Sequence, residues 1–331
     1  MKKRILILLV AVLFIQVSVY AQRIRKNSLG RLTYTQLPSD PFPSNFKDYK
    51  VKGTGAHNDL YRRDAIVNGI NIVGFNKVNS EDYQFLLDVE EYPLQHSEAE
   101  RKENVVKKKK DGIVRTYTYY NYVSSVVFKY NLVVKDKEGN ELFRRVFEGE
   151  EDIVGPEDRS ISKAHKDYKA TKKKFIKEIL SSQVKAISEY VNNRVGFPKK
   201  AYFLRVYVVK PKKYNYDEYT KAAEIFSSAC DILKADENKT EEALNILKPA
   251  IEAWKTELKE SDLEHRRARI NKKVTCGTLY NIALSYMICK DYTKAIEYFN
   301  KCTAINSIFG NARSFIDIAS NLQQRVEANK K

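Results

Sequence analysis

The sequence predicts an α+β fold: an N-terminal β-rich sheet domain covered by a long helix, followed by an all-α domain of helical hairpins. Three observations predict it. Between residues 117 and 147, apolar and polar side chains alternate, the period of a half-buried strand. Between 162 and 194 the apolar residues recur instead at helical spacing. After about residue 211 every patterned stretch keeps the helical period. The 331 residues are enough for two cores. With 12 Gly and 8 Pro, collagen-like and low-complexity structures are excluded.

Residues 1–21 read as a signal peptide. Lys2, Lys3 and Arg4 precede an unbroken apolar run, Ile5 to Ile15, and the small residues Val19 and Ala21 fit the two peptidase pockets, leaving Gln22 first. The apolar run is shorter than the roughly 20 residues that cross a bilayer, so no transmembrane segment is expected after cleavage. The Val-Tyr-Ala-Gln ending resembles exported proteins of Gram-negative bacteria, which implies the periplasm or the outer-membrane periphery.

Residues 23–50 read as irregular, with Pro38, Pro41 and Pro43 close together. Ile70–Phe75 and Tyr83–Val89 are rich in β-branched and aromatic residues and read as strands. Arg101–Lys110 reads as a solvated loop or hairpin tip. Tyr117, Tyr119, Val126, Phe128, Tyr130, Leu132 and Val134 form a long strand, and residues 136–140 supply a turn around Gly139. Leu142–Phe147 is the return strand. Phe175, Ile176, Ile179, Leu180, Val184, Ile187 and Val191 make one helical stripe, with Lys172, Lys173, Lys177 and Lys185 mostly off it. Gly196 and Pro198 stop that helix, and Ala201–Val209 reads as a final strand. Lys210 to Lys213 is the expected boundary, giving domains 22–210 and 211–331. The order of strands, hairpin, long helix and final strand resembles the α/β domains of envelope-assembly proteins such as the curli-secretion channel family.

Residues 278–306 carry a more specific pattern. Leu279, Ile282, Ala283 and Tyr286 place large, large, small and large residues on one helix; Ala295, Phe299 and Cys302 place small, large and small on the next, with Asp291-Tyr292 between. This resembles a tetratricopeptide repeat, whose small residues let two helices approach closely. A weaker copy spans 216–258, with Ala222, Ala223 and Phe226, then Ala243, Leu247 and Ala250; Pro249 is expected to interrupt its second helix. Residues 262–275 read as the exposed, basic start of the next helix. Phe315, Ile318, Ala319, Leu322 and Val326 form a closing amphipathic cap. Tyr280, Leu284 and Met287 make a second apolar face. It is either a groove for a partner peptide or buried, and apolar stripes are more often buried. The resemblance implies a scaffold for protein partners in the envelope.

The chain holds 59 Lys and Arg against 42 Asp and Glu, a net charge of +17. After signal removal, residues 22–210 keep +11 of this and residues 211–331 only +3. A basic domain in an export compartment points to anionic envelope material or an acidic protein rather than nucleic acid. The candidate anion patch is Lys107, Lys108, Lys109, Lys110, Lys172 and Lys173, and Tyr117–Tyr122 are candidates for stacking on glycan. The competing reading is a solvated surface.

No catalytic or cofactor motif is present. His57, His96, His165 and His265 are scattered, and no H-E-x-x-H, zinc spacing or G-x-S-x-G occurs. Of the four cysteines, Cys276 and Cys302 fall at one end of a hairpin, and Cys230 and Cys289 near the far ends of successive helices. Free thiols are the default, with pairing as 230–289 and 276–302 the alternative. The expected function is non-enzymatic: protein–protein interaction or assembly in the envelope through the helical domain. Glycan or anionic-polymer binding by the basic, Tyr-rich domain is the alternative, and a hydrolase with dispersed carboxylates is a second one.

Overall fold

A computed structural model describes residues 23–55, 60–111, 113–211 and 214–330, so the expected signal peptide lies outside the described residues. The chain is α+β, with a sheet-rich N-terminal half and a helical C-terminal half. It divides into two compact units: Asp40–Phe197, and Pro198–Lys331 joined by the described part of Met1–Ser39. The division therefore differs from the expected boundary at 210. Its cause is a strand that the sequence reads as irregular. Strand β1 (Arg23–Thr35) pairs antiparallel with β9 (Lys199–Lys210) along its whole length, from Arg23 opposite Lys210 to Thr35 opposite Lys199. That ribbon belongs to the helical unit.

The sheet unit contains β2 (Asp48–Gly55), β3 (Asn76–Lys77), β4 (Phe85–Glu91), β5 (Gln95–His96), β6 (Glu100–Lys110), β7 (Ile113–Asp136) and β8 (Glu141–Val154). It also holds helices α1 (Leu60–Gly69) and α2 (Ile161–Arg194). Strand β7 is the spine. Its 24 residues span roughly 80 Å when extended. Successive stretches of it pair with β4, β5 and β6, and β8 pairs along Val123–Lys135. The expected turn closes β7 and β8: the Asn140 amide donates to the Asp136 carboxylate at 2.7 Å, and Gly139 takes φ +92°.

The expected long helix starts where Ser160 caps it by accepting from the Lys163 amide. Its stripe, Ile179, Leu180, Val184, Ile187 and Val191, is buried with Val126, Phe128, Tyr130 and Leu132 of β7. Two expectations fail here. Arg101–Lys110 is strand β6 rather than a loop, and only its last residues reach the tip of the β6–β7 hairpin. Ile70–Phe75 is not a strand: side chains, not a neighbouring strand, satisfy much of its backbone. The Val73 amide donates to Asn192 Oδ1 at 2.8 Å, the Ile72 amide to the Tyr49 hydroxyl at 3.0 Å, and Asn192 Nδ2 donates to the Asn71 carbonyl at 2.6 Å. Ile70 and Ile72 are buried all the same, which is why their composition mimics a strand.

The helical unit holds α3 (Asp217–Ala235), α4 (Thr240–Leu258), α5 (Lys272–Ile288), α6 (Tyr292–Ile305) and α7 (Ala312–Ala328). Each helix packs on the next in sequence. Leu279, Ile282, Ala283, Tyr286, Ala295, Phe299 and Cys302 are all buried, as the small–large pattern requires. Pro249 does not interrupt α4, which runs straight through it. Burial of Leu247, Ala250, Ile251 and Trp254 on the same helix offsets the proline penalty of about 3 kcal/mol. Residues 262–271 are not the start of a helix. Short strands β10 (Ser261–Asp262) and β11 (Ile270–Asn271) pair there, and Asn271 caps α5 by accepting from the Lys273 and Val274 amides.

Candidate functional site

The candidate groove of Tyr280, Leu284 and Met287 is not open. The three residues are 3%, 0% and 1% exposed. What fills the space is the chain's own β1–β9 ribbon, which packs on both α3 and α5. Asn281 holds the ribbon by its backbone: its Oδ1 accepts from the Tyr207 amide at 2.8 Å and its Nδ2 donates to the Tyr207 carbonyl at 2.8 Å. Gly277 lets the helix come close, because a Cβ there would fall 2.2 Å from Ile24 Cδ1 and 3.1 Å from Tyr207 Cβ. The Tyr280 ring meets Tyr207, Phe299 and Phe315 edge-on, with centroids 5.1, 5.4 and 6.0 Å away. The apolar face is thus partnered from within. Burial, the reading that apolar stripes favour, is what the structure shows; the covering element is the ribbon rather than the closing helix alone.

The cysteines are free thiols. Cys302 Sγ lies 3.4 Å from the Cys276 carbonyl, so the two residues of this alternative pairing are adjacent. Burial pushes the thiols of Cys230 and Cys289 up to about 12, which leaves them protonated at neutral pH.

The candidate anion patch separates into two places. Lys107, Lys108 and Lys109 are exposed near the end of the β6–β7 hairpin, where β6 runs through Lys110 and pairs it with Ile113. Lys172 lies beside His96, whose imidazole is pushed below its usual range by burial and then by Lys172. His96 pairs with Val126, ten residues along β7 from Thr116, the partner of Lys107. That is a separation on the order of 30 Å. Lys172 is half-buried and Lys173 exposed on α2, and neither belongs with the hairpin lysines.

The hairpin itself is an arm. Strand β8 ends opposite Val123, and a single bridge joins Tyr120 to Asp158. Beyond Tyr120, Asn104–Lys110 and Ile113–Tyr119 pair as strands only with each other. One face carries Tyr119 opposite Asn104, Tyr117 opposite Val106, and Arg115 opposite Lys108. Arg159, placed by the Tyr120–Asp158 bridge beside it, covers this face: its guanidinium carbon is 4.0 Å from the Tyr117 ring and 5.4 Å from that of Tyr119. Lys108 Nζ donates to the Tyr119 hydroxyl at 3.5 Å and Arg159 Nη2 at 3.4 Å. The Arg159 hydrogen bond, with help from Lys108, holds the Tyr119 phenol below its usual range. The stretch 104–119 contains five basic residues and one acidic. The sequence signals for this site were Lys107–Lys110 and the tyrosines; Arg115 and Arg159 were missed, because only register and the bridge bring them there.

Among the described residues no three His, Cys, Asp or Glu side chains gather as a metal site. No described helix is long and apolar enough to cross a membrane. No family model and no curated protein matches the chain. A crystal structure of a minor lipoprotein from Acinetobacter baumannii aligns with 13% identity and a TM-score of 0.26, over 48% of this chain and 98% of that one. So loose a likeness bears on neither fold nor role.

Proposed function

We propose that this protein is an exported, non-enzymatic binding component of a Gram-negative envelope that engages anionic envelope material through the β6–β7 arm. The repeat-like helices then act as a scaffold whose inner face is already filled by β1 and β9. The export-type pattern at residues 1–21 supports the location. The binding reading rests on one observation: Lys108 stands directly opposite Arg115 on a two-stranded arm, with Lys107 and Lys109 beside it. Like charges directly opposite one another weaken a strand pair, and an isolated two-stranded hairpin is marginal to begin with. The repulsion is a cost to folding, whereas an anionic partner turns it into attraction.

Retention on a dextran sulfate column tests it, comparing the full chain with a Lys107→Gln, Lys108→Gln, Lys109→Gln, Arg115→Gln variant. The wild type is retained at low salt and released as salt rises; the variant elutes early. Equal retention of the two proteins refutes the assignment to the arm.

A further inference from the structure

The same arm carries a second kind of surface that a soluble polyanion would not use. Val105 is 58% exposed, and Ile113 and Val114 are 59% exposed each. Ile113 and Val114 begin β7 directly after the turn, where Asp111 takes φ +54°. Val114 sits opposite Lys109, and Val105 lies two residues before Lys107. Farther along β7, Val126, Val133 and Val134 are buried and Val127 is less exposed than the tip residues. Two apolar side chains, Ile113 and Val114, are therefore held in water at the end of an extension rich in cationic residues and tyrosine, and Val105 is exposed farther along it, opposite Thr118. No element of the sheet unit covers this end, since β8 stops opposite Val123 and the bridge from Asp158 reaches only Tyr120.

Resting on the arm reading above, we propose that the anionic material is a lipid surface: the tip of the β6–β7 arm docks on an anionic leaflet. Ile113 and Val114 enter the headgroup boundary, and Lys107, Lys108, Lys109 and Arg115 neutralise headgroup charge. The two chemistries at the tip match the two layers of such an interface, apolar below and negative above. Tyr117 and Tyr119, next along the same arm, have the amphipathic ring that favours the interface zone. A glycan or acidic protein accounts for the charge but leaves the apolar tip exposed.

The test is cosedimentation of the full chain with vesicles of phosphatidylcholine alone, and of equal parts phosphatidylglycerol and phosphatidylcholine, with dextran sulfate binding measured in parallel. The wild type sediments with the anionic vesicles and stays in solution with the neutral ones. Lys107→Gln, Lys108→Gln, Lys109→Gln lowers partitioning on the order of a hundredfold, at about fivefold per lysine. Ile113→Ser, Val114→Ser lowers it by roughly tenfold or more while dextran sulfate binding is unchanged. All these positions are exposed, and an unchanged melting curve confirms that each variant folds. Binding of dextran sulfate without binding of anionic vesicles overturns the lipid inference and leaves the anion reading standing, as does an apolar variant that sediments like the wild type. Loss of neither ligand in the lysine variant overturns both.

Discussion

Replacing Asn281 tests whether the helical unit depends on its own ribbon. Asn281 is fully buried, and so is Tyr207, at 0% and 3% exposure. Asn281→Leu keeps the volume close and removes both hydrogen bonds to the Tyr207 backbone. The Tyr207 amide and carbonyl then stay buried without partners, at about 1–3 kcal/mol each. The leucine recovers some of that through apolar transfer, so the expected net loss is about 3 kcal/mol. Ser285→Ala is the matched control: its Oγ donates to the Asn281 carbonyl at 2.9 Å within the same helix, and its removal leaves no strand unpaired, so it costs less than about 1 kcal/mol. The chain has a single tryptophan, Trp254, buried in α4 against Tyr219 and Phe226. Its emission during urea unfolding therefore reports the helical unit alone. With a slope of about 2 kcal/mol per molar urea, Asn281→Leu should lower the midpoint by about 1.5 M. A shift no larger than that of Ser285→Ala would refute the claim that the amide clamp seats the ribbon.

Two further outcomes follow from the same architecture. A fragment of residues 40–197 should fold by itself, with a cooperative melt, whereas 211–331 should bind a hydrophobic dye and melt without cooperativity, because it lacks Leu32, Leu204, Val206 and Tyr207 of its core; a cooperative melt from 211–331 contradicts the division. Glu237 accepts from Lys199 and Thr35, and although burial pushes its carboxyl up, those hydrogen bonds hold it below the usual carboxylate range. Because the folded value is the depressed one, its contribution is present above the unfolded value and lost as pH falls through the folded one, below about pH 4.5. With the pair partly solvated, the contribution is about 0.5 kcal/mol. Glu237→Gln should flatten the acid limb of the Trp254 unfolding midpoint, and an identical pH profile contradicts the assignment.

The parts legible in the sequence are those whose partners lie nearby in it. The stripe of α2 and the turn at 136–140 were readable because period and turn chemistry are local. The packing of α5 on α6 was readable because Leu279, Ala283, Ala295 and Phe299 encode a hairpin between consecutive helices. β1 was not, because what makes it a strand is β9, more than 160 residues on, where Arg23 meets Lys210. Its own sequence, with Arg25, Lys26, Asn27 and Ser28 in a row and a bulge between Ser28 and Gly30, breaks the alternation that would mark a half-buried strand. The segment Ile70–Phe75 misled in the opposite direction. Its composition reports burial, and burial was read as a strand, but Asn192 and Tyr49 supply the hydrogen bonds that a neighbouring strand would have supplied. For the candidate site, lysine runs were visible and their geometry was not. Register separates Lys107–Lys109 from Lys172, and joins the former to Arg115.

These differences bear on which surface is open to a partner. A helical array with an empty inner face would offer extended peptides a groove, and Tyr280, Leu284 and Met287 look suited to one while the chain is read as a string. In the folded chain an extended segment already lies there, held through its backbone by Asn281 and admitted by Gly277. A peptide competing for that face must displace two paired strands and uncover the buried side chains of Leu204, Val206, Tyr207 and Val209. At about 1.5–3 kcal/mol for each large apolar residue re-exposed, the displacement costs more than most peptide affinities return. The arm faces no such competition. Its charges repel one another across the strands and its apolar tip is unsatisfied, so contact with an anionic, amphipathic surface relieves costs that the fold already carries. Recognition on this chain is therefore best sought at β6–β7, where the free protein is least satisfied.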